Sequence, residues 1–280
     1  MTQSPLVSTA WLADRLDDPS LVVLDGTWFM PGDPRDAAAD YAVGHIPRAR
    51  FFSIDEISDH ATDLPHMLSA PADFAVAARR LGVDAASTVV VYDAEGVFSA
   101  PRVWWNFRAM GHAATFVLDG GLPRWIAGGH AVETGWRDAR HGDFKARLEP
   151  HLVRDLEAVQ RALDGHGAQI VDARAAGRFF GEIPEPRAGL RGGHMPGALN
   201  LPWSALVANG ALLPPDALKA AFEAKGVDLA APIITTCGSG VSAASLALAL
   251  AVIGRDDVAV YDGSWSEWGA RADTPVAVGP

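Results

Sequence analysis

The sequence has little cysteine, little positive charge and no long apolar run. One cysteine, Cys237, among 280 residues excludes an internal disulfide and any metal site built from several thiolates. Lys and Arg number 23 against 34 Asp and Glu, a net charge of −11. This balance argues against nucleic acid or an anionic membrane as a partner, since both attract basic surfaces. Residues 241–253 form the longest apolar helical candidate, which contains two serines and falls short of the ~20 residues of a membrane span.

Two further signals are missing. The first ten residues have no positive charge before an apolar run, so we predict no signal peptide and a cytoplasmic location. The nine histidines form no HExxH or His/Cys cluster, so we predict neither a metal nor a cofactor. A hydrophobic content of 49% with 20% charged residues is typical of globular domains.

Five short segments of the first half recur in the second half, in the same order. They are Leu21–Asp25 with Gln169–Asp172, Gly44–Pro47 with Gly193–Pro196, Leu81–Asp84 with Lys225–Asp228, Val89–Asp93 with Ile233–Cys237, and Leu118–Gly121 with Tyr261–Ser264. Matching positions are separated by 143 to 149 residues, a spacing that indicates a duplicated domain rather than a solenoid. We predict one domain over residues 1–140, a second over 151–280, and a linker at about 141–150.

Each half alternates short β-branched segments with helical patterns, which predicts an α/β fold with a mainly parallel sheet flanked by helices. The predicted strands are Leu21–Leu24, Thr88–Tyr92, Thr115–Leu118, Gln169–Val171, Pro232–Thr236 and Val258–Tyr261. The predicted helices are Asp73–Leu81, Arg102–Met110, Leu152–Leu163, Pro215–Lys225 and Val241–Ile253. His45, His194, Asp25 and Asp172 recur in both halves, which favours a structural role in turns.

The strongest chemical signal is the segment 233–243, IITTCGSGVSA. An apolar strand delivers Cys237 into a turn in which Gly238 and Gly240 allow backbone N–H groups to converge on an anion. The helix that follows adds partial positive charge at its N-terminus. A buried packing cysteine is the alternative interpretation. At the matching position the first half has Asp93. If Cys237 only filled space, we would expect Ala or Val there instead. We therefore favour a duplicated domain in which only the second copy has kept an active cysteine.

The CGSGVSA segment resembles the active-site loop of the tandem-rhodanese sulfurtransferases, and within them the 3-mercaptopyruvate branch, which has CGSGVTA. Thiosulfate-specific relatives carry Arg-Lys where this chain has Gly238 and Ser239. The resemblance extends from Val7 to about Thr274. It includes the GHIP and GHMP turns, HML at His66–Leu68, GRF at Gly177–Phe179 and EPR at Glu185–Arg187. Ser242 replaces the usual threonine and keeps its hydroxyl.

The resemblance implies two rhodanese-like domains, of which only the second is catalytic. Cys237 would take sulfur from 3-mercaptopyruvate as a persulfide and release pyruvate. A thiol such as a thioredoxin or a small thiol, or cyanide, would then accept the sulfur. Ser239, His66 and Asp55 would form a proton relay, and Arg178 and Arg187 would bind the substrate carboxylate. The persulfide would lie in a loop made by Gly238, Gly240, Val241 and Ser242.

Three alternatives remain open at this point. A thiosulfate:cyanide sulfurtransferase is disfavoured because the loop has no basic pair to attract a dianion. A non-catalytic sulfur carrier or binding module is disfavoured because such a protein would not need Arg178 and Arg187 to bind a substrate carboxylate. A cysteine phosphatase requires an arginine at the sixth position after the cysteine, where this chain has Ala243.

Overall fold

A computed structural model describes residues 4–165 and 167–280 and divides them into two compact units. Unit 1 comprises residues 4–59, 68–149 and 209–212. Unit 2 comprises the described residues of 60–67, 150–208 and 213–280. The segment 60–67, which contains His66, therefore belongs to unit 2 although it lies in the first half of the sequence.

Unit 1 contains a five-stranded sheet in the order β1-β5-β4-β2-β3, with every neighbouring pair parallel. Its elements are β1 (Leu6–Val7), α1 (Thr9–Ala13), β2 (Leu21–Asp25), α2 (Ala37–Val43), β3 (Arg50–Phe51), α3 (Pro71–Arg80), β4 (Thr88–Tyr92), α4 (Ala100–Ala109), β5 (Thr115–Leu118) and α5 (Gly121–Ala127).

Unit 2 contains a second five-stranded parallel sheet, in the order β6-β12-β11-β7-β8. Its main elements are β6 (Val153–Arg154), α6 (Leu156–Leu163), β7 (Gln169–Asp172), α7 (Ala176–Phe179), β8 (Leu199–Asn200), α8 (Pro215–Glu223), β11 (Ile233–Thr236), α9 (Val241–Val252), β12 (Ala259–Tyr261) and α10 (Ser264–Trp268). Short 3₁₀ helices occur at Pro150–Leu152 and Trp203–Leu206, and the short strand β9 (Val207–Ala208) follows the second of them. The short strand β10 (Ala211–Leu212) lies in the segment 209–212 of unit 1.

The two sheets have the same strand order, which confirms the predicted α/β fold and its duplication. The central strands are apolar because helices cover them: Val89, Val90 and Val91 of β4 are fully buried. The helix α9 is buried along most of its length, which explains why its sequence is apolar on every side. Tryptophans fill both cores, since Trp104, Trp105 and Trp125 of unit 1 and Trp265 and Trp268 of unit 2 are at most 1% exposed, whereas Trp136 is 67% exposed.

The predicted helix over Leu152–Leu163 is wrong at its beginning. Residues 153 and 154 form strand β6, which pairs with β12, and α6 begins only at Leu156. Asp155 ends the extended segment because its carboxylate accepts a hydrogen bond from the N–H of Ala158 (2.9 Å), as a helix N-cap does. A two-residue edge strand is too short to show an alternating pattern.

The stretch predicted as a linker is hydrogen bonded to unit 1 up to Glu149. The N–H of Gly142 donates to the carbonyl of Arg79 (2.8 Å), and the N–H of Glu149 donates to that of Ala109 (2.7 Å). Between them Phe144 is 3% exposed, with its ring against that of Phe107. The main division between the units falls after Glu149.

Candidate active site

The residues that recur in both halves hold turns, as predicted. Asp25 accepts a hydrogen bond from the N–H of Thr27 (2.9 Å), and Asp172 accepts one from the N–H of Arg174 (2.8 Å). The Nδ1 atoms of His45 and His194 each lie 2.9 Å from a backbone carbonyl of their own unit. The aspartates stabilise the turns directly after β2 and β7, and the histidines stabilise the turns that precede β3 and β8.

Cys237 is the first residue after β11 and is 2% exposed. Only residues 238–240 separate it from α9, so the chain reverses within a very short loop. Gly240 occupies the N-cap position with a φ of 81°, a left-handed conformation that favours glycine. The sulfur-bearing residue is thereby placed beside the N-terminus of a twelve-residue helix, which carries partial positive charge.

The start of α10 anchors the carbonyl groups of this loop. The N–H of Trp265 donates to the carbonyl of Cys237 (2.9 Å), and Ser266 donates to the carbonyl of Gly238 through its N–H (2.8 Å) and its hydroxyl (2.7 Å). In a trans peptide the N–H points away from the carbonyl. The N–H groups of residues 238 and 239 therefore point away from α10. The repeated YDGS segment marked this region, but its anchoring role was not predicted.

The matching loop of unit 1 shows what such a loop binds. The carboxylate of Asp93 accepts hydrogen bonds from four backbone N–H groups, of Glu95, Phe98, Ser99 and Ala100, at 2.8 to 2.9 Å. Two of these donors, Ser99 and Ala100, lie at the start of α4. The strand–loop–helix turn of this fold is thus an anion cradle, and unit 1 fills it with its own side chain.

Asp93 is fully buried, and burial raises the pKa of its carboxyl group, while the four N–H donors oppose that rise. In unit 2 the cysteine follows β11 as Asp93 follows β4, and the loop is half as long, residues 238–240 against 94–99. Cys237 and Asp93 therefore hold equivalent places, each the first residue after the matching strand of its unit.

Ser239 and His66 lie together in unit 2. Nδ1 of His66 is 3.0 Å from Oγ of Ser239, and the two residues are 6% and 4% exposed. His66 has a φ of 63°, which is uncommon for a residue with a Cβ and costs conformational energy. The fold retains this cost at a residue that contacts the loop of Cys237, which favours a functional role.

Asp55, the third predicted member of the relay, belongs to unit 1. It follows β3 and lines a cavity of about 390 Å³, together with Thr27, Phe29 and Arg35. Its role in the relay stays a prediction, whereas the Ser239–His66 contact is observed.

Arg178 lies against the nucleophile loop. A Cβ atom built on Gly238 would lie 2.8 Å from Nη2 of Arg178, so the guanidinium occupies the space that a side chain at position 238 would need. Glu185 holds this guanidinium by accepting hydrogen bonds from Nε (3.2 Å) and Nη2 (2.5 Å). Arg187, in the same segment between α7 and β8, is half-buried.

Sequence reasoning missed the residues that support Arg178. Arg174 is fully buried, pairs with Asp172 (2.7 Å) and Glu185 (2.8 Å), and lies over the ring of Trp265 (4.2 Å). The signals were present, because Glu185 belongs to the EPR segment and Arg174 follows a repeated aspartate. A buried ion pair cannot be read from one sequence, since an arginine is usually exposed.

The described residues contain neither a metal-binding cluster of side chains nor a helix that could span a membrane. Within residues 4–165 and 167–280, no group of three His, Cys, Asp or Glu side chains is arranged to hold a metal ion. Across the same residues, every helix is too short or too polar to cross a lipid bilayer.

The family model for the rhodanese-like domain matches this chain twice, at residues 8–128 and 155–271. The chain therefore belongs to the rhodanese family, with two copies of the domain in tandem. It is 47% identical over 277 residues to the 3-mercaptopyruvate sulfurtransferase of Escherichia coli, covering 99% of both chains. It is 44% identical over 275 residues to the thiosulfate sulfurtransferase of Bos taurus, covering 95% of this chain and 92% of the relative.

The solved structures agree with the sequence comparison. The crystal structure of SseA from Escherichia coli, a 3-mercaptopyruvate sulfotransferase, matches with a TM-score of 0.87 at 44% identity, covering 94% of this chain and 99% of that one. Because relatives with two different sulfur donors have similar identities, the choice of donor has to be argued from the site.

Proposed function

We propose that this protein is a sulfurtransferase that takes sulfur from 3-mercaptopyruvate onto Cys237 and passes it to an acceptor. The observation that carries the proposal is the position of Cys237 where unit 1 holds an anion in an N–H cradle. We assign the nucleophile to the second domain, residues 151–280; the first domain, residues 1–140, has no nucleophile, although the proposed relay residues His66 and Asp55 come from that half of the sequence. The main division between the two units follows Glu149. The first domain has Asp93 in place of the cysteine and lacks the Gly-Ser-Gly loop, so we expect no second sulfur site there.

In the first step the thiolate of Cys237 attacks the sulfur of mercaptopyruvate. The new S–S bond forms as the C–S bond of the substrate breaks, and the electron pair of that bond moves into the pyruvate enolate. The products are a persulfide on Cys237 and the enolate, so no external oxidant or reductant is needed. Backbone N–H groups of Gly238, Gly240, Val241 and Ser242 are the proposed donors to the persulfide.

The enolate needs a proton to become pyruvate. Ser239 is two residues from the nucleophile, and its hydroxyl lies within hydrogen-bond distance of His66. We assign the proton delivery to Ser239, with His66 replacing the proton that the hydroxyl gives up. Asp55 is the proposed third member, which would orient His66.

Arg178 and Arg187 are the proposed partners of the substrate carboxylate. Glu185 occupies the Nε–Nη2 edge of Arg178, which leaves the edge formed by Nη1 and Nη2 for a substrate. That edge belongs to the guanidinium that lies against Gly238, next to the nucleophile.

In the second step the persulfide transfers its outer sulfur to a nucleophilic acceptor, a thiolate or cyanide. The acceptor attacks the terminal sulfur, the S–S bond breaks, and the thiolate of Cys237 is restored. A thioredoxin, a small thiol or cyanide meets this requirement. Because Cys237 is a free thiol with no partner cysteine in the chain, we propose a reducing compartment, the cytoplasm. One plant relative is named as mitochondrial.

Thiosulfate is the second candidate donor, supported by the bovine relative. Against it, positions 238 and 239 carry no positive charge to attract a dianion. Steady-state kinetics with both donors and cyanide as the common acceptor test the choice. We expect a higher kcat/KM for mercaptopyruvate; a higher kcat/KM for thiosulfate would overturn it. A protein that turns over neither donor would instead be a non-catalytic carrier.

A further inference from the structure

Four charged side chains of unit 2 form a continuous chain of ion pairs that ends at the nucleophile loop. Asp172 pairs with Arg174 (2.7 Å), Arg174 pairs with Glu185 (2.8 Å), and Glu185 pairs with Arg178 (2.5 Å). The charges alternate and sum to zero. The side chains of Asp172, Arg174 and Glu185 are at most 2% exposed, and that of Arg178 is 13% exposed.

Because these side chains are buried, the electrostatic interactions between their charges are strong. Solvent and salt screen an exposed pair, but groups at this depth interact through a medium less polarisable than water. Arg174 is compensated by Asp172 even without Glu185, because it also donates to both carboxylate oxygens of Asp172. Glu185 is therefore the group that cancels the charge of Arg178, the member in contact with Gly238.

We infer that Glu185 sets the donor preference of the site by cancelling the positive charge of Arg178. The inference rests on the proposed function, and it concerns a residue that positions and neutralises Arg178 rather than one that touches the substrate. With Glu185 present, Arg178 offers hydrogen bonds with a fixed orientation but little net attraction. Mercaptopyruvate, with one carboxylate, needs such an oriented donor, whereas thiosulfate, with two negative charges, gains most from uncompensated positive charge.

The direct test is Glu185→Gln, which keeps the shape and the acceptor oxygen and removes the charge. The ratio of kcat/KM for thiosulfate to kcat/KM for mercaptopyruvate should rise about tenfold, since a dianion interacts with one added charge twice as strongly as a monoanion does. The salt dependence of kcat/KM for thiosulfate should become steeper as well. Neither readout is expected from a general loss of packing.

Two controls separate charge from structure. Glu185→Asp keeps the charge and should keep the wild-type ratio. Asp273→Asn removes one charge from an exposed ion pair with Arg271, so it changes the net charge of the protein by the same amount and should leave the ratio unchanged. An unchanged ratio in folded Glu185→Gln, or an equal rise in Asp273→Asn, would overturn the inference.

A further variant covers the case in which Glu185→Gln does not fold, which its thermal unfolding would reveal. Asp172→Asn leaves Glu185 as the one carboxylate of the chain of ion pairs opposite both Arg174 and Arg178, so the charge of Arg178 is no longer cancelled and the ratio should rise, as in Glu185→Gln; a constant or decreased ratio contradicts the inference. Wild-type protein is assayed first with mercaptopyruvate. If wild type releases no pyruvate, the proposed function fails; if wild type is active and the ratios do not move, only the inference fails.

Discussion

Ser239→Ala removes the hydroxyl that lies 3.0 Å from Nδ1 of His66 and leaves Cys237 and its loop in place. The substitution isolates the proton-delivery step, because Ser264, Trp265 and Ser266, rather than the hydroxyl of Ser239, anchor the loop. Sulfur transfer to Cys237 and binding of the carboxylate should both remain possible. The loss should therefore fall on kcat.

General acid catalysis by a positioned side chain contributes about 10²- to 10⁴-fold. Ser239 is 4% exposed, so bulk water is a poor substitute for its hydroxyl. We expect kcat for pyruvate release to fall at least about 100-fold, while KM changes less than about threefold. A coupled lactate dehydrogenase assay under saturating acceptor measures both constants.

The contact between Ser239 and His66 leads to a second prediction, which concerns variants of both residues. If the two side chains act as one relay, His66→Gln should cost about as much as Ser239→Ala, and the double variant should be no slower than the slower single variant. Ser239→Thr, which retains a hydroxyl, should recover part of the rate. A kcat in Ser239→Ala within about threefold of wild type, or fully multiplicative losses in the double variant, would refute the relay.

Other predictions concern the substrate arginine, the duplicated loop and pH. Arg187→Ala should raise the KM for mercaptopyruvate about tenfold to a hundredfold, the value of a charged hydrogen bond, with kcat nearly unchanged; an unchanged KM in steady-state kinetics would reject its role as a carboxylate partner. Asp93→Cys should lower the free energy of unfolding by about 3 kcal/mol, because four buried N–H groups lose their carboxylate acceptor. It should bind no second sulfur, because residues 94–99 lack the Gly-Ser-Gly loop of residues 238–240. Denaturant unfolding and intact mass measure these two effects, and sulfur on the new cysteine contradicts the second. Burial raises the pKa of Asp25 to about 6, so the folded state binds its proton more tightly than the unfolded state does, and wild type should lose about 2 kcal/mol relative to Asp25→Asn as pH rises from about 4 to 7. Unfolding curves of both proteins at each pH test this, and a constant difference between them contradicts it.

The duplicated fold could be predicted because its central strands are fully buried on both faces. The segments Thr88–Tyr92 and Thr115–Leu118 are continuous apolar or β-branched stretches, and the structure places strands at those residues. The edge strands β1, β3, β6 and β8 were missed because each has two residues, which is too few for a pattern. For the same reason the start of α6 was predicted too early, because residues 153 and 154 form the two-residue strand β6.

The residues of the candidate site differ in how far the sequence alone could predict them. Cys237 and its glycines are contiguous in sequence, so their local chemistry could be read directly. His66 was connected to Ser239 only by the family resemblance, because no local pattern links residues so far apart in the chain. The Arg174–Glu185–Arg178 ion pairs depend on burial, which a single sequence does not reveal.

Intact-mass measurement of the protein before and after addition of mercaptopyruvate, without acceptor or reductant, tests the central claim. We predict a gain of one sulfur atom, about 32 Da, with release of pyruvate, and loss of that sulfur when a thiol is added. Cys237→Ser, which keeps a small polar side chain at the same place, should neither gain sulfur nor release pyruvate. Sulfur bound or pyruvate released by Cys237→Ser would contradict the account.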